Sequence, residues 1–112
     1  MDCIFCRIAA GEIPSNKLYE DEQVLAFYDI DPKAPVHFLV IPKQHIASAD
    51  ELTAQNSGIV AHVFEVIASV AKTLELQNGY RVVTNVGTDG GQSVPHLHFH
   101  ILGGRALAWP PG

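Results

Sequence analysis

The stretch V-P-H-L-H-F-H-I-L, Val94 to Leu102, sets histidines at every second position among bulky apolar residues. On a β-strand successive side chains face opposite ways, so His96, His98 and His100 share one side while Leu97, Phe99 and Ile101 share the other. A period of two reads as a strand over 96–102, and its apolar side needs a cover. Neighbouring imidazoles on such a strand lie roughly 7 Å apart. Three adjacent cations would repel, so the rings are expected to be mostly neutral, each with a partner for its second nitrogen. His37, which begins a second apolar run with Leu39 and Ile41 on its own face, can supply such a partner.

The cover is legible upstream. Ile59, Val63, Val66, Ile67, Val70 and Leu74 recur at steps of three and four, which predicts one long helix over about 57–76 with an apolar stripe. Asn56 or Ser57 can cap its start and Asn78-Gly79 ends it. Strands are expected at 17–20, at 24–30 before Asp31-Pro32, at 37–41 before Pro42, and at 80–86. Helical turns are expected at 3–10 and 50–52. With 96–102 this makes an α+β fold: a mostly antiparallel five-stranded sheet, one long helix and a short N-terminal helix. No repeat, low-complexity tract or linker interrupts residues 1–112, so a single domain is expected.

Composition narrows the function. At 112 residues with 47% hydrophobic content the chain can build its own core. Its 7 Lys+Arg against 12 Asp+Glu give a net charge of −5, which disfavours nucleic acid as a partner and leaves room for a small phosphorylated ligand. The opening M-D-C-I-F-C-R has no charged segment followed by an apolar run, and no 18 consecutive apolar residues occur. A soluble, cytoplasmic protein with no membrane partner is the expectation.

Two chemistries fit the histidines. His-x-His on a strand is a way to hold a metal. Alternatively, one imidazole attacks phosphorus and forms a covalent intermediate. The segment N-V-G-T-D-G-G-Q-S-V-P, Asn85 to Pro95, shifts the balance toward phosphate. Gly87, Gly90 and Gly91 allow successive amides to point at one anion, and Ser93 and Asn85 add neutral donors.

The motif H-L-H-F-H-I-L resembles the signature of the histidine triad (HIT) superfamily. I-F-C-R-I at 4–8, G-E-I-P-S at 11–15, L-A-F-Y-D-I at 25–30, A-P-V-H-F-L-V-I-P-K-Q-H-I at 34–46, D-G-G-Q-S-V at 89–94 and the closing L-G-G-R…W-P-P-G are similar to its Hint-like branch. The resemblance implies a HIT-like fold and a purine nucleoside phosphoramidase, which splits the P–N bond of an adenosine or guanosine 5′-phosphoramidate. It implies His98 as nucleophile, His100 on the phosphate, His37 setting imidazole protonation, and Ser93 near the leaving amine. Asn85, Ser93 and the amides near Gly91 and Val94 would bind phosphate oxygens. Asp29 would receive the ribose hydroxyls, with Ile4, Phe5, Ile8, Phe27 and Ile30 forming an apolar slot for the purine. No catalytic metal is implied. Dinucleoside polyphosphate hydrolysis is the competing activity within the family, against which the W-P-P-G ending argues, and a nucleotide-binding regulatory role with incidental hydrolysis is a third reading.

Cys3 and Cys6 add a subgroup marker. Two thiolates three residues apart fill half a tetrahedral zinc site. Free thiols or a redox couple are the alternatives, although a redox couple normally follows a strand, for which residue 3 has no room. In the bacterial members resembled, His45 and His96 complete a structural zinc site. The resemblance also implies a homodimer with a continuous sheet, in which the tail 106–112, with Trp109, crosses toward the partner's active site. Pro95 stands where some relatives carry an aromatic, on the leaving-group side. His62, at the border of the helix stripe, is expected to be an ordinary surface residue.

Overall fold

The apolar stripe of the long helix and the apolar side of the histidine segment meet, and a sheet forms between them and the N-terminal helix. The structure, a computed structural model, describes residues 3–112. In chain order it runs α1 (Ile4–Ala9), β1 (Lys17–Glu20), β2 (Val24–Tyr28), β3 (Val36–Pro42), a 3-10 turn (Ala49–Glu51), α2 (Gly58–Thr73), β4 (Tyr80–Val83), the one-turn α3 (Gly87–Gly90) and β5 (Phe99–Gly103). The strands form one sheet in the order β1-β2-β3-β5-β4, every neighbouring pair antiparallel. No helix among the described residues is long and apolar enough to cross a membrane.

Both faces of the central strands are covered, which is why β2 and β3 read as apolar runs rather than alternations. On one face Val63, Val66, Ile67 and Val70 of α2 pack on Val24, Ala26, Phe38 and Val40 and on Leu97, Phe99 and Ile101. On the other, Phe5 and Ile8 of α1 pack on Leu25, Phe27, Leu39 and Ile41. Each side chain of this size that leaves water contributes roughly 1.5–3 kcal/mol.

Several expected boundaries move. The histidine strand begins at Phe99 rather than His96, so only His100 of the three sits on the ladder. The register pairs Val40 with Phe99. Continued past Ile41 opposite His98, that register would set Leu97 against Pro42, which has no N–H to donate. The lead-in finds other partners: Leu97 N–H donates to Ile46 C=O at 2.6 Å, and the Pro42 carbonyl is taken by the His96 ring at 2.8 Å. The alternation of faces persists through this extended segment. Strand β2 stops at Tyr28 and β4 at Val83, each short of its expected end, and the glycine-rich loop contains the turn of α3.

Helix α2 is also shorter than expected. Neither proposed cap serves its start: Ser57 makes no side-chain capping bond, and the Asn56 side chain accepts from Thr53 N–H instead. At its other end Glu75 takes a left-handed conformation (φ 61), with Leu76 N–H donating to Ala71 C=O and Glu75 N–H to Lys72 C=O. This double bond pattern terminates the helix before Asn78-Gly79 is reached.

His62 is not an ordinary surface residue. Its Nε2 lies 2.6 Å from Asp21 Oδ2, tying α2 to the β1–β2 turn, while Asp21 Oδ1 accepts from Gln23 and Val24 N–H. Burial acts to raise the Asp21 pKa, but hydrogen bonds from His62, the two amides and Tyr19 outweigh it and hold the carboxyl well below the usual range. The Asp21 bond raises the His62 pKa against a smaller opposing effect of burial. A histidine raised on folding stabilises fully below its unfolded value and loses that contribution as pH rises through the folded one. Wild type should therefore exceed His62→Gln in stability by about 1 kcal/mol or less near pH 6, and the gap should close toward pH 9. Urea melts at the two pH values check this; a gap that widens with pH would refute it.

Candidate functional site

Each histidine of the motif faces a different partner, and the partners define each ring's tautomer. His98 is buried, and its Nδ1 lies 2.6 Å from the His96 carbonyl oxygen. A carbonyl only accepts, so Nδ1 carries the proton and Nε2 keeps its lone pair. Phe5 stands edge-on to this ring, centroids 5.0 Å apart, and Thr84 Oγ1 donates to the His98 carbonyl at 2.8 Å. These contacts hold the ring from two sides.

His100 and His37 form a relay. Lys33 N–H donates to His37 Nδ1 at 3.0 Å, so the His37 proton is on Nε2, which donates to His100 Nδ1 at 2.9 Å. His100 then carries its own proton on Nε2. Burial lowers the His100 pKa to about 4, helped by the neighbouring His98 and His37 and opposed by Asp29. Burial likewise lowers that of His37, with Asp29 opposing. Both rings are neutral near pH 7. Asp29 Oδ2 stands 3.5 Å from His37 Nε2 and 3.9 Å from His100 Nδ1, while its Oδ1 accepts from Asp31 N–H.

His96 turns toward the cysteines. Its Nε2–H donates to the Pro42 carbonyl at 2.8 Å, which leaves Nδ1 as a lone pair. That Nδ1 lies 3.3 Å from Cys3 Sγ, 3.5 Å from Cys6 Sγ and 3.2 Å from His45 Nδ1, and Cys6 Sγ is 3.2 Å from His45 Nδ1. The donor atoms of Cys3, Cys6, His45 and His96 all lie within 4.8 Å of one another. A tetrahedral zinc with ordinary bond lengths would need edges of roughly 3.3–3.8 Å, so this donor set fits the ion. The Pro42 carbonyl is the outer hydrogen bond that a ligating imidazole ordinarily has. Sequence proximity had offered only Cys3 and Cys6; the helical turn supplies their spacing, with Cys3 as the N-cap accepting from Cys6 N–H at 3.3 Å. Among the described residues the other metal-capable group is Asp29, His37 and His100, whose imidazoles are already bonded to each other. The three motif histidines do not converge on one ion.

The loop before β5 is held by a residue that the motif reading passed over. Gln92 Oε1 accepts from Gly87 N–H at 3.1 Å, and its Nε2 donates to Ala47 C=O at 2.7 Å and Val94 C=O at 3.0 Å. Gly91 takes a left-handed conformation (φ 77) and its amide donates to Thr88 C=O, so its part is to turn the loop. Among the described residues the Ser93 and Val94 amides have no acceptor in the chain. Asn85 is half-buried just before the loop and Ser93 is exposed at its rim.

Phe5, Ile8 and Phe27 come together on the histidine face with Val94 beside them. Ile4 is 47% exposed and Ile30 fully exposed, so these two form an open side rather than a closed wall. Trp109 is not brought to the site within one chain; it is 83% exposed, and its tail is held by Arg81, which donates to Ala108 C=O at 2.9 Å.

Comparison with known proteins finds relatives that share this fold. A model of the HIT domain matches residues 10–107. An uncharacterized HIT-like protein of Synechococcus elongatus is 51% identical over 111 residues, 99% of this chain and 97% of that protein. A histidine triad protein from Clostridium difficile superposes with a TM-score of 0.94 at 53% identity, covering 96% of this chain and 95% of the other. A HIT family hydrolase from Legionella pneumophila superposes with a TM-score of 0.97 at 46% identity, covering 99% and 100%. On its motif, its fold and these matches, the chain belongs to the HIT domain family.

Proposed function

We propose that this protein is a hydrolase of the Hint-like branch, a purine nucleoside phosphoramidase that cleaves the P–N bond of an adenosine or guanosine 5′-phosphoramidate through a nucleotidyl-histidine intermediate. The observation that carries this reading is the tautomer of His98, whose protonated Nδ1 is bound to the His96 carbonyl and whose Nε2 is a free lone pair. As Nε2 bonds to phosphorus, positive charge develops on the ring, and that carbonyl stabilises it. The departing nitrogen keeps the electron pair of the broken bond and gains a proton, and water then cleaves the N–P bond to release the monophosphate. Well-placed proton transfer to such a leaving group contributes roughly 100- to 10,000-fold.

The other residues take roles that their geometry supports. His100 offers its Nε2–H to a phosphate oxygen through the relay from His37. Ser93 and Val94 offer unspent amides, Asn85 a neutral donor, and Ser93 Oγ a contact to the amine. Gly91 shapes the cradle rather than donating to it. Asp29 would accept from the ribose hydroxyls, and Ile4, Phe5, Ile8, Phe27 and Ile30 would bind the base by apolar area. Cys3, Cys6, His45 and His96 would hold a zinc ion, whose role when bound is a cross-link between α1 and the approach to β5. Two unpaired thiols in a ligating arrangement suit a reducing compartment, the cytoplasm.

The same reading includes a homodimer. Strand β4 ends the sheet and carries Tyr80, 39% exposed, while Phe64 of α2, edge-on to Phe99 of the neighbouring β5, is 46% exposed. An unpaired edge next to exposed aromatics is covered by a symmetry mate, which would bring Trp109 of one chain toward the other's site. Light scattering should return twice the chain mass of 12.1 kDa; a monomer at tens of micromolar would exclude it.

Intact-protein mass spectrometry after mixing with an adenosine phosphoramidate tests the central step. An added adenylyl mass, lost in acid and mapped to His98, is expected. An adduct on another residue, or none under rapid quench while substrate is consumed, would defeat the mechanism.

A further inference from the structure

Gln92 grips the glycine loop with its backbone and its side chain together. Its N–H donates to Gly87 C=O at 3.0 Å while its Oε1 accepts from Gly87 N–H at 3.1 Å, so one residue engages both polar groups of Gly87 and closes 87–92 on itself. The side-chain Nε2 then reaches out of the loop, giving one proton to Val94 C=O at 3.0 Å and the other to Ala47 C=O at 2.7 Å. Among side chains of this length only a carboxamide carries an acceptor and two donors on one tip.

The anchor at Ala47 is itself fixed. Ile46 is buried and its carbonyl accepts from Leu97 N–H at 2.6 Å, and the His45 imidazole lies 3.2 Å from both Cys6 Sγ and His96 Nδ1. On the other side Ser48 is buried, with its hydroxyl accepting from Asp50 N–H. A bond to Ala47 therefore fastens the loop to a segment already held at 45, 46 and 48.

Within the loop the consequence falls on two amides. Gln92 N–H donates to Gly87, Pro95 has no N–H, and His96 N–H donates to Val94 C=O at 2.8 Å, which leaves the Ser93 and Val94 amides without an acceptor among the described residues. The Val94 carbonyl is held twice, by His96 N–H and by Gln92 Nε2. With Gln92 tied on one side and that carbonyl on the other, the planar peptide groups between them have little freedom to turn. Both amides are set before an anion arrives, so binding one costs little reorganisation.

We propose that Gln92 is the positioning residue of the phosphate site, its carboxamide setting the Ser93 and Val94 amides for an anion without touching the ligand. The inference rests on the nucleotide reading above, in which those amides bind phosphate oxygens. Replacing the carboxamide by a thioether of similar length leaves Gly87 N–H and the Ala47 and Val94 carbonyls without their side-chain partner, and the two amides lose their aim.

The test compares AMP with adenosine by calorimetry, since the ratio of their affinities isolates the grip on phosphate. Wild type should bind AMP at least roughly thirtyfold more tightly than adenosine. In Gln92→Met that ratio should fall roughly tenfold while adenosine affinity holds within about twofold. Gln92→Glu, which keeps the acceptor for Gly87 but sets a carboxylate against two carbonyls, should do the same. A merely structural role would weaken both ligands together, and a ratio within about threefold of wild type in either folded variant would overturn the inference. Should both variants fail to fold, hydrogen exchange in wild type decides. The Gln92 Nε2 protons should exchange at least roughly tenfold more slowly than those of the exposed Gln77, and AMP but not adenosine should shift the Ser93 and Val94 amide resonances. Exchange as fast as Gln77, or amides indifferent to AMP, would overturn it and leave the nucleotide reading standing. Wild type that binds neither AMP nor adenosine would overturn that reading and the inference with it.

Discussion

Replacement of His98 by alanine is expected to lower kcat on an adenosine phosphoramidate by on the order of 10⁴-fold or more, about 5 kcal/mol of transition-state stabilisation. The covalent adduct should disappear with it. The ring is buried between Phe5 and the His96 carbonyl, so its loss also leaves a small cavity, and thermal melts of the variant should accompany the kinetics. His98→Asn keeps a donor for the His96 carbonyl while removing the nucleophile. It should lose as much activity as alanine with less loss of stability. If His98→Asn retained turnover within tenfold of wild type, another group would have to attack phosphorus.

Metal removal is the second large effect. Four donors from α1, the segment after β3 and the approach to β5 meet at one point, so an ion there cross-links parts of the chain that the sheet alone does not join. Zinc present at about a thousand times its dissociation constant contributes roughly 4 kcal/mol, and its removal should lower Tm by roughly 15 °C for a chain of this size. Cys6→Ser should do the same without chelator. Binding should also weaken as pH falls. Burial, together with the adjacent Cys3 thiol, pushes the Cys6 thiol up to about 11, so the ion must displace a firmly held proton. The checks are metal stoichiometry, calorimetry with and without a strong chelator, and proton release on reconstitution. An unchanged Tm in chelated protein, with metal content near zero in protein purified without chelator, would rule out a structural ion.

How much of this was legible beforehand depended on whether a signal was local. The faces of the histidine segment follow from the period of two, and Leu97, Phe99 and Ile101 do pack beneath the helix whose stripe faces them. The strand's start was not legible, because it depends on Pro42 lacking an amide at a register position 55 residues away from Leu97 in sequence, a pairing no local pattern encodes. Likewise Gln92 reads as a loop residue until Gly87, Ala47 and Val94 are seen to spend both ends of its amide. His62 read as surface for the same reason, since its partner Asp21 belongs to a distant turn.

By itself the sequence determined which side chains alternate, which stripe seeks cover, and which residue types stand ready for phosphorus or a metal, because these depend on spacing and chemistry along the chain. Only the tertiary structure decided the division of labour among the three histidines. Each imidazole has two nitrogens, and which one keeps its lone pair is set by the carbonyl, amide or imidazole that folding brings to the other: the Pro42 carbonyl for His96, the His96 carbonyl for His98, and His37 for His100.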